Sequence, residues 1–324
     1  MPNRPSEFAL IAQIFAPLAK TPGAFGLTDD AAVLQQRAGH DLVVTTDALV
    51  EGVHFLSNDP PDSIARKALR ANLSDLAAKG AEPAGYLLAL SLPARIDMEW
   101  LEAFARGLAQ DQRTFSVLLL GGDTTATPGP LTLAITAMGH VQAGAMIRRA
   151  GAKAGDGVYV SGTIGDAGGG LALLKGKGVD IARQEAELLV ERYRLPSPRL
   201  TLGRALRGVA SAALDVSDGL VADLSHIAEV SRVRIAVGAG LIPRSSALRA
   251  LWGDGPEAIV RAATAGDDYE IAFTAASEGK AGKAAGLAGV AVTRIGRAEE
   301  GSGVALIDSH GREIEVARTG FTHF

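Results

Sequence analysis

LLLGGDTTATPGP, residues 118–130, decides how this chain is read. Three leucines announce a buried strand. The apolar run then gives way to two glycines, an aspartate and two threonines. A turn needs the glycines, but it does not need Asp123. The same succession recurs in LVVTTDALV (42–50) and AALDVSDGL (212–220). Ligand sites of α/β proteins are built at the ends of buried strands. The recurrence therefore predicts strands that end by delivering carboxylates, with the strand ending at Leu120 presenting Gly121, Gly122 and Asp123.

Outward from that stretch, strands and helices alternate. Apolar spacing predicts helices over 7–20, 62–80 and 97–115, with Pro17 ending the first early and Gly80 stopping the second. Strands are expected at 41–47, 85–93, 116–123 and 131–141, the first of them buried. GAKAGDGVYVSG (151–162) reads as a boundary followed by a new strand. Beyond it, helices are expected at 165–176, 183–194 and 217–232, and strands at 213–217, 233–238, 269–275 and 290–298. A hairpin around His310 and Gly311 closes the chain over 303–317. The fold class is α/β (α+β), in two domains covering 1–150 and 151–324.

Composition narrows the function classes. Of 324 residues, 47% are hydrophobic and 21% charged, which suits packed cores rather than disorder. Aromatics are only 5% and net charge is −4. Neither a base-stacking platform nor electrostatic binding to nucleic acid or an anionic membrane is supported. The absence of cysteine excludes disulfides, thiolate metal sites and cysteine nucleophiles. No run approaches a membrane span and the N-terminal stretch lacks a signal-peptide core, so a soluble, cytoplasmic protein is expected.

The acids at loop or strand-end positions are Asp29, Asp30, Asp47, Asp75, Asp123, Asp215, Asp218, Asp267 and Asp268. Most have Gly, Ser or Thr beside them. Clustered short carboxylates suit hard divalent cations. Mg²⁺ takes oxygen ligands in a tight octahedron, usually one or two carboxylates plus water and substrate phosphate. Without metal, such a cluster is opposed by like-charge repulsion. Each acid alone has a plainer reading: Asp218 caps the helix that follows, and Asp75 lies on a solvent face with Asn72 and Lys79. SGTIGDAGGG (161–170) either cradles phosphate or serves helix packing, and it lacks the Lys-Ser/Thr of a P-loop. His54, with no second His nearby, suits a structural role or a substrate contact. Arg148 and Arg149 are a phosphate clamp or a solvated pair.

EFALIAQIF, DDAAV, TTDALVEGVHF, NLSDLAAKGAEP, GGDTT, RAGAKAGD, DVSDGL, GDDYEI and GFTHF follow one another in this order. Together they resemble the thiamine-monophosphate kinase family over nearly the full chain. The wider superfamily contains aminoimidazole ribonucleotide synthetase, formylglycinamidine ribonucleotide synthetase, selenophosphate synthetase and a hydrogenase-maturation factor, all ATP-using. The resemblance implies an N-terminal domain that binds ATP and Mg²⁺ and whose strands form a homodimer interface, followed by a C-terminal α/β domain. It implies ATP-dependent phosphorylation of thiamine monophosphate to thiamine diphosphate by direct in-line transfer, with several Mg²⁺ ions. Asp30, Thr45, Thr46, Asp47, Asp75, Asp123, Asp215 and Asp218 match the family's magnesium ligands. Gly122, Asp123, Arg149 and Ser217 match its ATP contacts, and His54, Asp267 and Phe321 its substrate contacts. Thr28 and Ala265 stand where the family has glycine, and Phe321 where Tyr or Trp stands.

Residue chemistry and resemblance agree. Phosphoryl transfer needs alignment and charge neutralisation more than covalent work. A phosphate acceptor is already ionised near pH 7, so no general base is expected and no catalytic His. The missing cysteine speaks against selenophosphate synthesis and the hydrogenase factor. An aminoimidazole ribonucleotide synthetase-like enzyme, a non-catalytic nucleotide-binding protein and a metal-dependent phosphohydrolase are the competing readings.

Overall fold

The computed structural model describes residues 6–322. Residues 1–5, which belong to the N-terminal stretch read above, and the last two residues of GFTHF lie outside the described residues. The chain forms two compact units. One comprises 1–76 and 81–144, the other 77–80 and 145–324.

The first unit opens with helix α1 (Glu7–Leu10), which continues as a π-helical stretch over Ile11–Phe15 and a 3₁₀ turn over Ala16–Leu18 containing Pro17. Strands β1 (His40–Val50), β2 (Glu82–Leu92), β3 (Leu118–Ala126) and β4 (Thr132–Gln142) form one sheet in the order β1-β4-β2-β3. β4 runs antiparallel to β1 and β2, while β2 and β3 are parallel. A parallel pair needs a crossover, here helix α3 (Met98–Phe115), capped by Asp97 at its start. Helix α2 (Pro61–Ala78) joins β1 to β2. The two helices meet at Gly107, where a Cβ would lie 2.3 Å from the Asp62 carbonyl oxygen. Arg66 and Arg70 of α2 converge on Asp111 of α3, which is fully buried, with N–O distances of 3.1 and 2.6 Å.

Two strand expectations need correcting. β1 is not a buried strand: Leu42 and Val44 are 46% and 55% exposed, because β1 is a sheet edge with one open face. Nor do β1 and β3 end at their aspartates. Asp47 pairs with Ile135 and Asp123 with Ala89, each in mid-strand. The glycines before Asp123 therefore make no turn. Gly122 sits in the ladder because a Cβ there would fall 1.9 Å from the Leu88 carbonyl oxygen.

In the second unit, strands β5 (Gly157–Ser161), β6 (Ala212–Asp215), β7 (Arg234–Gly238), β8 (Ile271–Ala275), β9 (Val292–Glu299), β10 (Gly303–Ile307) and β11 (Glu313–Ile314) make a sheet ordered β11-β10-β7-β9-β5-β8-β6. Among the described residues of this sheet, only β10 and β7 pair in parallel. β5, β6 and β8 are buried along their whole length, since helices cover both faces. Helix α7 (Leu220–Ser231) packs Leu224 and Ile227 with Val158, Val160 and Leu214 on one side. Helices α6 (Leu200–Leu206) and α10 (Glu278–Ala288) pack with Tyr159, Ala213 and Phe273 on the other.

Helix α4 (Asp166–Leu174) lies so close to α5 (Arg183–Arg194) that a Cβ on Gly170 would meet the Leu189 carbonyl oxygen at 2.1 Å. Helix packing thus accounts for that glycine of the glycine-rich stretch. The short helices α6, α8 (Ser246–Trp252), α9 (Pro256–Ala263) and α10 carry no expectation from the sequence. No helix among the described residues is long and apolar enough to cross a membrane.

Candidate functional site

Alternation along β1 sorts its polar residues onto two faces. Thr45 and Asp47 face α2. The Thr45 hydroxyl donates to Asp75, and Asn72 Oδ1 accepts the Asp47 N–H at 3.1 Å. Asn72 is itself held by donating to the Ala68 carbonyl. Thr45, Asp47 and Asp75 are thus brought together. Thr46 is not: its hydroxyl donates to the Ile135 carbonyl and accepts from Thr136, on the other face of the strand.

That other face carries a second group. Asp29, Asp30, Gly122 and Asp123 line a cavity of about 750 Å³, walled by Phe8, Phe15, Leu87 and Met138. Asp30 and Asp123 therefore share a space, while register places Asp123 and Asp47 on opposite faces of the sheet. Before Asp29 the chain turns through three left-handed residues, Phe25, Gly26 and Leu27, with φ of 48°, 63° and 58°. Thr28 has φ −109° and its hydroxyl donates to the Phe25 carbonyl. The departure from glycine at 28 thus costs no strain there, because the left-handed positions precede it.

His54 follows β1 in a tight turn, and its Nδ1 accepts the Val50 N–H at 3.0 Å. In the neutral ring the proton then sits on Nε2. Lys67 donates to the His54 carbonyl. These contacts give His54 a structural task, the closure of this turn.

In the second unit, Asp215 ends β6 and is buried, while Ser217 and Asp218 occupy the turn into α7. The Asp267 N–H donates to the Ser217 carbonyl and the Phe321 N–H to the Asp218 carbonyl, at 2.8 and 2.9 Å. Ser217, Asp218, Asp267 and Phe321 are therefore tied together through the backbone. Asp267 stands at φ 67°. Gly266 beside it is required, since a Cβ would lie 2.5 Å from the Ser217 carbonyl oxygen. Asp218 does not cap α7 with its side chain. That end of the helix is organised by Asp223, whose Oδ2 accepts the N–H groups of Ser217, Asp218 and Gly219. Burial and the neighbouring Asp218 charge push the Asp223 carboxyl up to about 7, against the pull of those three donors.

Asp268 turns away from Asp267 into the interior. It accepts from the Gly165 and Ala167 N–H groups at the start of α4, and burial raises its pKa well above the carboxylate range. Arg149 is exposed, with its carbonyl accepting from Ser231.

Among the described residues, no three of His, Asp and Glu gather where they could hold a metal ion. Asp30 and Asp123 instead line one cavity, and Asp75 accepts from the Thr45 hydroxyl. That fits Mg²⁺, which uses one or two protein carboxylates and completes its shell with water and phosphate. Sequence reasoning missed Asn72 and Asp223. The only signal for Asp223 is a further acid in the first turn after DVSDG; for Asn72 it is the place three residues before Asp75, on a helix face read above as solvated although Asn72 is fully buried.

The family model "AIR synthase related protein, N-terminal domain" matches residues 28–141, and "AIR synthase related protein, C-terminal domain" matches 153–309. A thiamine-monophosphate kinase of Caulobacter vibrioides is 47% identical, with 98% of this chain and 91% of that protein covered. The crystal structure of a thiamine-monophosphate kinase from Stenotrophomonas maltophilia superposes with a TM-score of 0.82 at 45% identity, covering 92% of this chain and 96% of that one. The structure of AaThiL complexed with AMPPCP and TMP has a TM-score of 0.78 at 31% identity, covering 98% and 97%.

Proposed function

This chain belongs to the AIR synthase related family, in its thiamine-monophosphate kinase branch, and from that premise we propose how its residues serve the phosphorylation of thiamine monophosphate by ATP. The ligands of magnesium in our reading are Asp30, Thr45, Asp47, Asp75 and Asp123 of the first unit and Asp215 and Asp218 of the second, with Thr46 offering its carbonyl. Bound magnesium supplies charge neutralisation between two phosphates that otherwise repel. The observation that carries the reading is the gathering of short acids with hydroxyls, Asp30 with Asp123 around one cavity and Asp75 with Thr45 beside Asp47, with no thiolate or imidazole in either group. Such donor sets suit a hard cation rather than a transition metal.

Gly122, Asp123, Arg149 and Ser217 receive the nucleotide in this reading. Gly122 lines the cavity beside Asp123, and Arg149 offers an exposed guanidinium. Asp267, Phe321 and His54 face the thiamine phosphate. Phe321 offers an aromatic face without a hydroxyl, so its contact there is apolar. Transfer is direct and in line, with no general base, since the attacking phosphate oxygen is already ionised. The engagement of His54 Nδ1 by the Val50 N–H supports this, because it leaves that nitrogen unable to take a proton without losing the bond. The reading includes a homodimer in the cytoplasm, supported by exposed Leu42 and Val44 on an edge strand.

The test is product analysis with purified protein, ATP, Mg²⁺ and thiamine monophosphate, beside a control without ATP. Thiamine diphosphate formed one-for-one with ADP is expected. Phosphate released from thiamine monophosphate without ATP would instead make the protein a phosphohydrolase. His54→Ala should keep its turnover number within about tenfold while KM rises, because loss of a general base costs about 10²–10⁴-fold. Loss of turnover with substrate still bound would reinstate a catalytic His.

A further inference from the structure

The turn from β6 into α7 has no idle backbone group. The Val216 N–H donates to the Glu270 carbonyl and its carbonyl accepts from Tyr269. The carbonyls of Ser217, Asp218 and Gly219 accept from Asp267, Phe321 and Asp223 in turn. The N–H groups of Ser217, Asp218 and Gly219 all end on one atom, Asp223 Oδ2, at 3.0, 3.0 and 3.1 Å. Asp223 is 3% exposed. A capping box satisfies one N–H before a helix. Three N–H groups converging on one buried carboxylate oxygen fix a whole turn, and through its carbonyls they fix two more segments.

We propose that Asp223 is a positioning residue for the reaction, setting the turn that presents Ser217 and Asp218 and docks Asp267 and Phe321. The inference rests on the reading of Asp215 and Asp218 as magnesium ligands. Asp223 itself touches neither metal nor substrate. It acts as the partner behind a ligand, a kind of residue whose loss costs metal sites about 10–100-fold in affinity.

The experiment is Mn²⁺ binding by the full-length protein with AMPPCP, followed by electron paramagnetic resonance, for Asp223→Asn, Asp223→Glu and a control Asp218→Asn. Asp223→Asn keeps the shape and a weaker acceptor. Asp223→Glu keeps the charge but displaces the oxygen. Both should weaken Mn²⁺ binding about tenfold or more. The Mg²⁺ concentration for half-maximal rate should rise, while the rate at saturating Mg²⁺ is largely regained. A folded Asp223→Asn that binds Mn²⁺ as the wild type does overturns the proposal. So does an Asp223→Glu that binds normally, since charge alone would then suffice. If Asp218→Asn also binds normally, the metal reading fails, and this inference falls with it.

Discussion

Gly122→Ala tests the fold and the site at once. Gly122 pairs with Leu88 across the parallel β2–β3 ladder. A Cβ at 122 would lie 1.9 Å from the Leu88 carbonyl oxygen, whereas real Cβ contacts stop at about 3.0 Å. The neighbour is backbone inside a sheet, so no side chain can swing aside. β3 must instead move from β2 by about 1.1 Å, the difference between those distances. Overpacking of this kind costs about 1–3 kcal/mol. At about 2–4 °C per kcal/mol for a domain of this size, the melting temperature should fall by about 2–12 °C. Asp123 is the next residue along β3 and must move with it. A misplacement of about 1 Å can cost about 10²-fold in rate. The assay pairs thermal unfolding with the rate of thiamine diphosphate formation at saturating Mg²⁺. A variant that melts within about 1 °C of wild type, below the smallest effect above, would refute the close approach of the strands. A variant that melts lower yet keeps kcat within about threefold would show that the position of Asp123 does not govern transfer.

Other outcomes follow from buried charge. Asp111→Ala leaves Arg66 and Arg70 without their shared carboxylate inside the α2–α3 contact. Breaking a buried pair costs about 3–5 kcal/mol, so calorimetry should record a melting temperature about 6–20 °C lower; a fall under about 2 °C would mean the cluster is solvated. Asp268 gives a pH signature. Burial holds its folded-state pKa well above that of the unfolded chain, so the folded protein keeps a proton that the unfolded chain gives up above about pH 4. Its contribution to stability is therefore full below that pH and is lost as pH rises toward the folded-state value. Asp268→Asn should flatten that decline in denaturant titrations across the acid range; an unchanged slope would show that Asp268 is not its source.

How much of this was legible differs from residue to residue. Helix α5 falls on the expected 183–194 because its apolar spacing is a local property. Helices α6, α8, α9 and α10 are short, and packing makes them helical, α6 and α10 against the sheet and α8 against α4, α5 and α9. The aspartates beside Gly, Ser and Thr could be picked out from composition alone, as could the hard-cation chemistry they favour. Their grouping could not. Thr45 and Thr46 are adjacent in sequence, yet one meets Asp75 and the other Thr136, because alternation separates them and register fixes which face meets α2.

Asp123 was expected at a strand end because two glycines read as a turn. Gly122 marks instead a ladder position where another backbone leaves no room for a side chain, a fact that belongs to the pairing of β2 with β3. Asp223, in the first turn of its helix, looks like any helical acid until the loop carrying Asp267 and the stretch carrying Phe321 close around the turn it holds. The sequence by itself determined which elements form and which chemistry their side chains can support, since both depend on neighbours within a few residues. Faces, close approaches and the partners of each carboxylate were decided only by tertiary structure, since they depend on pairings between segments far apart in the chain, which no local pattern encodes.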